Sequence, residues 1–299
     1  MPFYFPDTPD LPLPPGHRFP ASKYRLLREM AQRTGIFQRV GLAPSPAASL
    51  NELSRAHDAG YIHKIMTDTL PAQAMRRIGV PWSETLVQRT LATVGGSLAA
   101  ARDARQYRIS GQLAGGTHHA HRNFGSGFCV FNDLAVTALT LLAEGEARRI
   151  TILDCDVHQG DGTAAILAQV PEVQTISIHG AKNFPFRKAA SDLDIPLSNG
   201  TGDKDYLIAL DSALEALDAF KPDLLLYLSG ADALSVDRLG RLSLTQTGLA
   251  VRDETVFRFA HERGLPVSIA IGGGYAEPVS ITVDAYMQTF RSAARIYGF

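Results

Sequence analysis

Cysteine is scarce in this chain: only Cys129 and Cys155 occur in 299 residues, both in apolar surroundings. That excludes a disulfide framework and points to buried thiols in a reducing, cytoplasmic setting. Neither sign of charge is in excess, with 29 Lys and Arg against 30 Asp and Glu. No global field therefore draws the protein to nucleic acid or to an anionic membrane surface. Long apolar runs are missing too. The stretch from Leu134 to Ala143 is interrupted by threonine and too short to span a bilayer. The opening Met1-Pro-Phe-Tyr-Phe-Pro6 lacks the basic and apolar regions of a signal peptide. Repeats, low-complexity segments and breaks in composition are also absent. Residues 1–299 therefore read as a single domain, long enough to bury a substantial core.

What is present is an ordered alternation. Seven prolines fall in the first twenty residues, so residues 1–20 read as an extended segment. Helices are expected over Ser22–Arg33, Ser49–Met66 and Glu84–Arg105, with a loop at Pro44–Pro46. From residue 150 onward, apolar β-branched runs recur at Ile150–Leu153, Thr175–Ile178, Leu224–Leu228 and Val267–Ile271. Helical patterns lie between the later runs; Tyr206, Leu207, Leu210, Leu214 and Leu217 make one apolar face. The fold class is α/β, an open parallel sheet flanked by helices. In such sheets, ligands bind beyond the carboxyl ends of the strands.

Chemistry-bearing residues cluster at those ends. Asp154, Asp156 and His158 follow the first run at i, i+2 spacing, which puts side chains on one side of an extended chain. Asp232, in Gly230-Ala-Asp232, ends another run. Carboxylates ending buried strands are costly unless paired or coordinating a metal. A single Asp there is ordinarily a cap or loop acceptor. The combined pattern, followed by Gly160-Asp161-Gly162, favours a divalent-metal set of Asp156, His158 and Asp232, with Asp154 orienting its neighbours. Gly115-Gly-Thr-His118-His119-Ala-His121 offers two imidazoles that Asp154 and Asp161 can back, forming His–Asp pairs suited to proton transfer. His121 reads as a surface or loop residue. Gly127 and Phe128 make either a flexible loop with a core Phe or an aromatic wall. Gly272-Gly-Gly-Tyr275 lacks dinucleotide-fingerprint spacing. It reads as a strand-to-helix turn, or as a means of delivering a phenol to an oxyanion.

Taken in order, Gly-Gly-Thr-His118-His119, Ser-Gly127-Phe128-Cys129, Asp154-x-Asp156-x-His158-x-Gly-Asp161-Gly, Ser-Gly-Ala-Asp232 and Gly-Gly-Gly-Tyr275 resemble the zinc-dependent histone deacetylase family. The likeness runs from about Arg18 to the C-terminus. Asp-Val-His-Gln159-Gly and Asp237-Arg-Leu-Gly-Arg-Leu242 are similar to its class IV branch and bacterial relatives. The resemblance implies an arginase/deacetylase-like sheet. It implies Zn²⁺, with Fe²⁺ as a substitute, on Asp156, His158 and Asp232. His119 would be the general base with Asp161 behind it, and His118 its partner backed by Asp154. Tyr275 would hydrogen-bond the amide carbonyl and then the oxyanion. Gly127, Phe128 and, as second aromatic wall, Phe186 or the neighbouring Phe184 would line a channel for the lysine stem, with Leu239 as gatekeeper and Lys23 near its floor. A structural monovalent cation, K⁺ or Na⁺, would be held by Asp154, the backbone of Asp156 and His158, Ser177, and the backbone of Ile178. No acidic rim residue and no second cation site can be assigned.

The implied activity is hydrolysis of an Nε-acyl-lysine amide in a protein or peptide. Three rivals stand beside it. An acetylpolyamine or other small-amide hydrolase would use the same groups. An arginase-like ureohydrolase would need two Mn²⁺ ions and more ligands. A non-catalytic acyl-lysine binding module would have no need of the intact proton-transfer groups. Neither nucleic acid nor a membrane is an expected partner, and oligomeric state is not encoded in any motif.

Overall fold

The computed structural model describes residues 2–299. In chain order the elements are β1 (Phe3–Phe5), α1 (Lys23–Thr34), β2 (Leu42–Pro44), α2 (Leu50–Ala56), α3 (Ala59–Met66), α4 (Ala72–Ile78), α5 (Glu84–Tyr107), β3 (Ile109–Gly111), α6 (Asp133–Ala143), β4 (Ile150–Asp154), α7 (Asp161–Leu167), β5 (Val173–Gly180), β6 (Leu193–Leu197), α8 (Asp203–Phe220), β7 (Leu224–Ser229), α9 (Gln246–Glu262), β8 (Val267–Ile271) and α10 (Ser280–Tyr297). Six strands form one parallel sheet in the order β3-β8-β7-β4-β5-β6, and β1 pairs with β2.

Alternation along the strands sends side chains to two cores. Leu225 and Tyr227 enter the core shared with α1, α8, α9 and α10. Leu224, Leu226 and Leu228 enter the core shared with α2, α5 and α6. Burial on both sides explains why β7 reads as an unbroken apolar run. From β4 the chain order proceeds to β5 and β6 on one side and to β7 and β8 on the other. The switch point therefore lies between β4 and β7, where a crevice opens at the strands' carboxyl ends.

All four apolar runs form strands, and the first and third expected helices form as α1 and α5. The helix expected over Ser49–Met66 is two helices. Ser49 caps α2 in a reciprocal box with Glu52. The chain then turns extended at His57 and Asp58, and the Asp58 carboxylate caps α3. His57 supplies the reason for the break. Its buried ring accepts a hydrogen bond from the Asn132 N–H (2.8 Å) at Nε2 and donates from Nδ1 to His121 O (3.0 Å). The expected loop at Pro44 begins one residue late, since β2 includes Pro44. Among the described residues, no helix is long and apolar enough to cross a membrane.

Candidate metal centre and catalytic pocket

β4 ends at Asp154, and its next residues leave strand geometry. Asp154 Oδ1 accepts from the Asp156 N–H (3.0 Å), and Asp156 Oδ1 accepts from the His158 N–H (2.9 Å). These local turns part the three side chains that simple i, i+2 spacing brings together. Asp154 swings to His118, while Asp156 and His158 join Asp232 from the end of β7. Ligand atoms of Asp156, His158 and Asp232 all lie within 4.8 Å of one another. The three residues are buried, Asp232 completely. His158 Nδ1 sits 3.0 Å from Asp156 Oδ1 and 3.1 Å from Asp232 Oδ2.

This cluster fits a divalent cation on its own chemistry. Two carboxylates buried face to face need positive charge between them. Burial and then the Asp156 carboxylate push Asp232 up to about 7. Burial opposes charge on His158, yet its bonds to Asp156 and Asp232 lift it to about 10. The remaining acceptor capacity is partly met by backbone, from Val157 N–H to Asp232 (2.9 Å) and Gly273 N–H to Asp156 (2.5 Å). Gly273 has to be glycine, because a Cβ there would run into the Asp232 carboxylate.

The two expected His–Asp pairs are both present. His118 Nδ1 lies 2.6 Å from Asp154 Oδ2, and His119 Nδ1 lies 2.6 Å from Asp161 Oδ1. Burial disfavours charge on both rings, but the outcomes differ. For His118 the Asp154 and Asp156 carboxylates overcome burial and raise it to about 9. For His119 burial and the neighbouring His118 prevail over Asp161, lowering it to about 4. His119 is thus the neutral ring, its Nε2 not engaged by Asp161. His121 is not the unconstrained loop residue expected. Its Nε2 lies 3.1 Å from Asp161 Oδ2, and its ring stacks on Phe124 at 4.3 Å.

Gly127 and Phe128 stand beside His119. Both have positive φ, +53° and +67°, and the Phe128 N–H donates to Ile78 O at 2.7 Å. A non-glycine residue in this region is strained, so the α4 end holds the ring in place. A Cβ at Gly127 would meet the His119 ring at 2.5 Å. Of the two candidates for a second aromatic wall, Phe184 stands against His119 and Phe186 does not. Phe184 presents edge-on to His119 with centroids 4.8 Å apart. Phe186 is 85% exposed at the outer rim, touching Phe184. Leu239 lines the outer cleft, and its carbonyl accepts from Asn183 (2.8 Å).

Tyr275 joins the same pocket, 6.0 Å from Phe128 and 6.5 Å from His158 by ring centroids. Burial, then Asp156 and Asp232, push its pKa well above the usual range, so it stays an O–H donor. Its backbone N–H donates to Asp237 Oδ2 at 2.6 Å, while Asp237 Oδ1 accepts from Leu239 and Gly240. Lys23 is fully buried, its Nζ 3.1 Å from Tyr286 Oη and 5.0 Å from the Tyr275 ring. Ser177 is the register partner of Asp154, with Ile178 next along β5, and the Ser177 hydroxyl lies 3.0 Å from His179 Nδ1.

Several supporting residues were invisible to motif reading. Asp133 accepts from the Gly116 and Thr117 N–H groups and so fixes the loop before the histidines. Buried Arg252 donates to Gly230 O (2.7 Å) and Ser229 Oγ (2.8 Å), anchoring the Asp232 turn, and pairs with Asp253 at 2.8 Å. Arg252 and Asp253 sit inside a helix far from any motif, so only coordinates reveal them. Asp237 opens the Asp237-Arg-Leu-Gly-Arg-Leu242 segment, where an Asp two and three residues ahead of Leu239 and Gly240 is a turn signal.

A parallel sheet with acid and imidazole groups gathered at its switch point has the build of a hydrolase. The chain belongs to the histone deacetylase family: the histone deacetylase domain matches residues 17–290. It is 42% identical over 96% of both chains to an uncharacterised protein of Picosynechococcus sp.. It is 29% identical to histone deacetylase 2 of Arabidopsis thaliana, covering 87% of this chain and 70% of that one. The crystal structure of the HDA15 HD domain shares the fold, with a TM-score of 0.83 and 22% identity over all of this chain and 88% of that one. Family membership makes the chain a hydrolase of the deacetylase type.

Proposed function

We propose that this chain hydrolyses the amide of an acetylated lysine carried in a protein or peptide. The observation that carries the reading is the convergence of Asp156, His158, His119 and Tyr275 on one cavity. Zn²⁺, or Fe²⁺ in its place, on Asp156, His158 and Asp232 would supply Lewis acidity toward the carbonyl and the attacking water. A lysine stem enters between Phe128 and Phe184. His119, neutral at pH 7, takes the proton of the attacking water at Nε2 while Asp161 holds Nδ1. The Tyr275 hydroxyl donates to the oxygen on which negative charge develops. The proton on His119 then passes to the departing lysine amine. His118, held protonated by Asp154 and Asp156, balances the Asp154 carboxylate beside it. A structural K⁺ or Na⁺ would sit by Asp154, Ser177 and the backbone of Asp156, His158 and Ile178, and the whole chain would act as one domain.

The inner cavity supports a short acyl group. It is about 70 Å³, roughly the share of two waters at ~30 Å³ each. Lys23 and Arg89 line it, and neither forms an ion pair among the described residues; Arg89 instead lies over the Tyr24 ring at 4.1 Å. Their charge suits a departing carboxylate. Lysine peptides bearing acyl groups from acetyl to myristoyl, assayed as loaded enzyme, after chelation and after Zn²⁺ return, test the reading. Acetyl-lysine should be cleaved best, with activity lost to chelator and restored by metal. Cleavage indifferent to chelation, or no cleavage of any peptide, would reject it.

A further inference from the structure

The outer cleft is about 980 Å³, and its floor is His119, His158 and Tyr275. Its wall is strongly basic. Arg76 and Arg77 come from the end of α4, Lys182 and Arg187 from the loop after β5, and Arg238 and Arg241 from the loop after β7. Arg18 adds a seventh cation from the N-terminal segment. All seven are exposed. Arg77 is held flat over Phe124 at 3.6 Å. Only Arg238 forms an ion pair among the described residues, with Glu277 at 2.8 Å.

Almost nothing opposes this charge. The one carboxylate on the cleft wall is Asp161, and His119 and His121 already occupy it. The chain as a whole carries a net charge of −1, so the excess reflects placement, not composition. The segments supplying the cations are separate in sequence and meet around the mouth. A substrate must pass them to reach the floor, and cations left without partners at a cleft mouth concentrate anions there.

We propose that the site selects acyl-lysine embedded in an acidic peptide segment and disfavours lysine-rich or arginine-rich segments. The proposal rests on the deacylase reading above for its acyl-lysine, and on the rim alone for its charge preference. A single-stranded nucleic acid would also meet a basic rim. The peptide is favoured because the cations encircle an entrance whose floor holds the reacting groups.

Two acetyl-lysine peptides of equal length test this, one flanked by three Glu on each side and one by three Lys. Turnover and, separately, binding by fluorescence anisotropy are measured with metal-loaded protein at low salt and at 0.5 M NaCl. The acidic peptide should lead in kcat/KM and in affinity by about tenfold or more at low salt. The lead should shrink toward parity at high salt, as screening predicts. In the variant Arg76→Glu/Arg187→Glu/Arg241→Glu the preference should vanish or invert. Equal use of both peptides, preference for the basic one, or a preference unchanged in the variant would overturn the proposal. So would displacement of the acidic peptide by single-stranded RNA at lower concentration than by unlabelled peptide. Charge-selective binding without cleavage would leave the rim assignment standing and reject the deacylase reading; cleavage without charge selection would do the reverse.

Discussion

Asp156, His158 and Asp232 at the floor of the cleft are buried, and each is held by several hydrogen bonds from backbone and side chains. Arg76, Arg187 and Arg241 at its mouth are exposed and form no ion pairs among the described residues. The floor is a network in which each group's charge depends on the next. The mouth is a set of separate charges acting through solvent. Removing one group from the floor should therefore cost several kcal/mol, whereas one change at the mouth should cost a few tenths.

The largest break is expected at Asp232→Ala. It takes one of the three proposed ligands from the cluster, unpairs the Val157 N–H and leaves the His158 ring with Asp156 alone. Bound metal should fall well below one equivalent by elemental analysis, and turnover by roughly 10³-fold or more, the several kcal/mol expected of a catalytic metal. Stoichiometric metal in the variant would remove Asp232 from the ligand set. Next comes Asp253→Ala, remote from the reacting groups. It leaves the fully buried Arg252 without its carboxylate, and it strips partners from Tyr227 and Thr289. Denaturant unfolding should show a loss of about 3–5 kcal/mol. Arg241→Ala, measured alongside, should stay within about 0.5 kcal/mol of the parent. Equal losses would erase the contrast between the buried network behind the floor and the exposed mouth.

Tyr275→Phe separates chemistry from metal retention. The Tyr275 backbone N–H is held by Asp237, and its phenol stands beside the His158 ring. Its loss should lower kcat by roughly 10²–10³ with metal content unchanged. Unaltered turnover would take Tyr275 out of the reaction.

How much of this was legible in the chain depends on range. The Asp-x-Asp-x-His segment and Gly-Ala-Asp232 lie next to apolar runs, so a parallel sheet brings them together without further information. That two imidazoles would be backed by Asp154 and Asp161 was readable from residue types, whereas which carboxylate backs which ring came only from the family resemblance. By contrast, Phe184 and Phe186 differ by a turn whose direction no periodicity encodes. Arg252 reaches Gly230 only through the packing of α9 against the sheet. His57 breaks a helix for the sake of a hydrogen bond to Asn132, 75 residues away. The charge of the mouth was hidden because a net of −1 averages over the whole surface.

That same His57 gives a pH test of the floor's supporting shell. Burial, against the pull of its backbone partners, lowers His57 to about 4. The unfolded chain takes up a proton near 6.5 that the native ring refuses until about 4. The contribution of this group is therefore full above pH 6.5 and falls as pH drops from 6.5 toward 4, by on the order of 3 kcal/mol. His119 and His179, also lowered to about 4, add to the slope in the same window. His57→Phe should be less stable at pH 7 yet lose less on acidification. A slope identical to the parent's would show that His57 does not titrate across the transition.

The smallest effect separates the two phenylalanines and sharpens the line between floor and mouth. Phe184 is half-buried, and its ring edge meets His119 at 84° between planes. Such an aromatic contact is worth about 0.5–1.5 kcal/mol beyond burial. Phe184→Ala should therefore reduce kcat/KM for an acetyl-lysine peptide by roughly three- to tenfold, the same energy read as a rate ratio. Among the described residues Phe186 pairs with one aromatic ring, Phe184, and it is mostly exposed. Phe186→Ala should change kcat/KM by less than about twofold, as surface substitutions away from a network do. If Phe186→Ala proved the more damaging, the lysine stem would run along the outer rim. The boundary between the rigid floor and the solvent-screened mouth would then move outward by one residue pair.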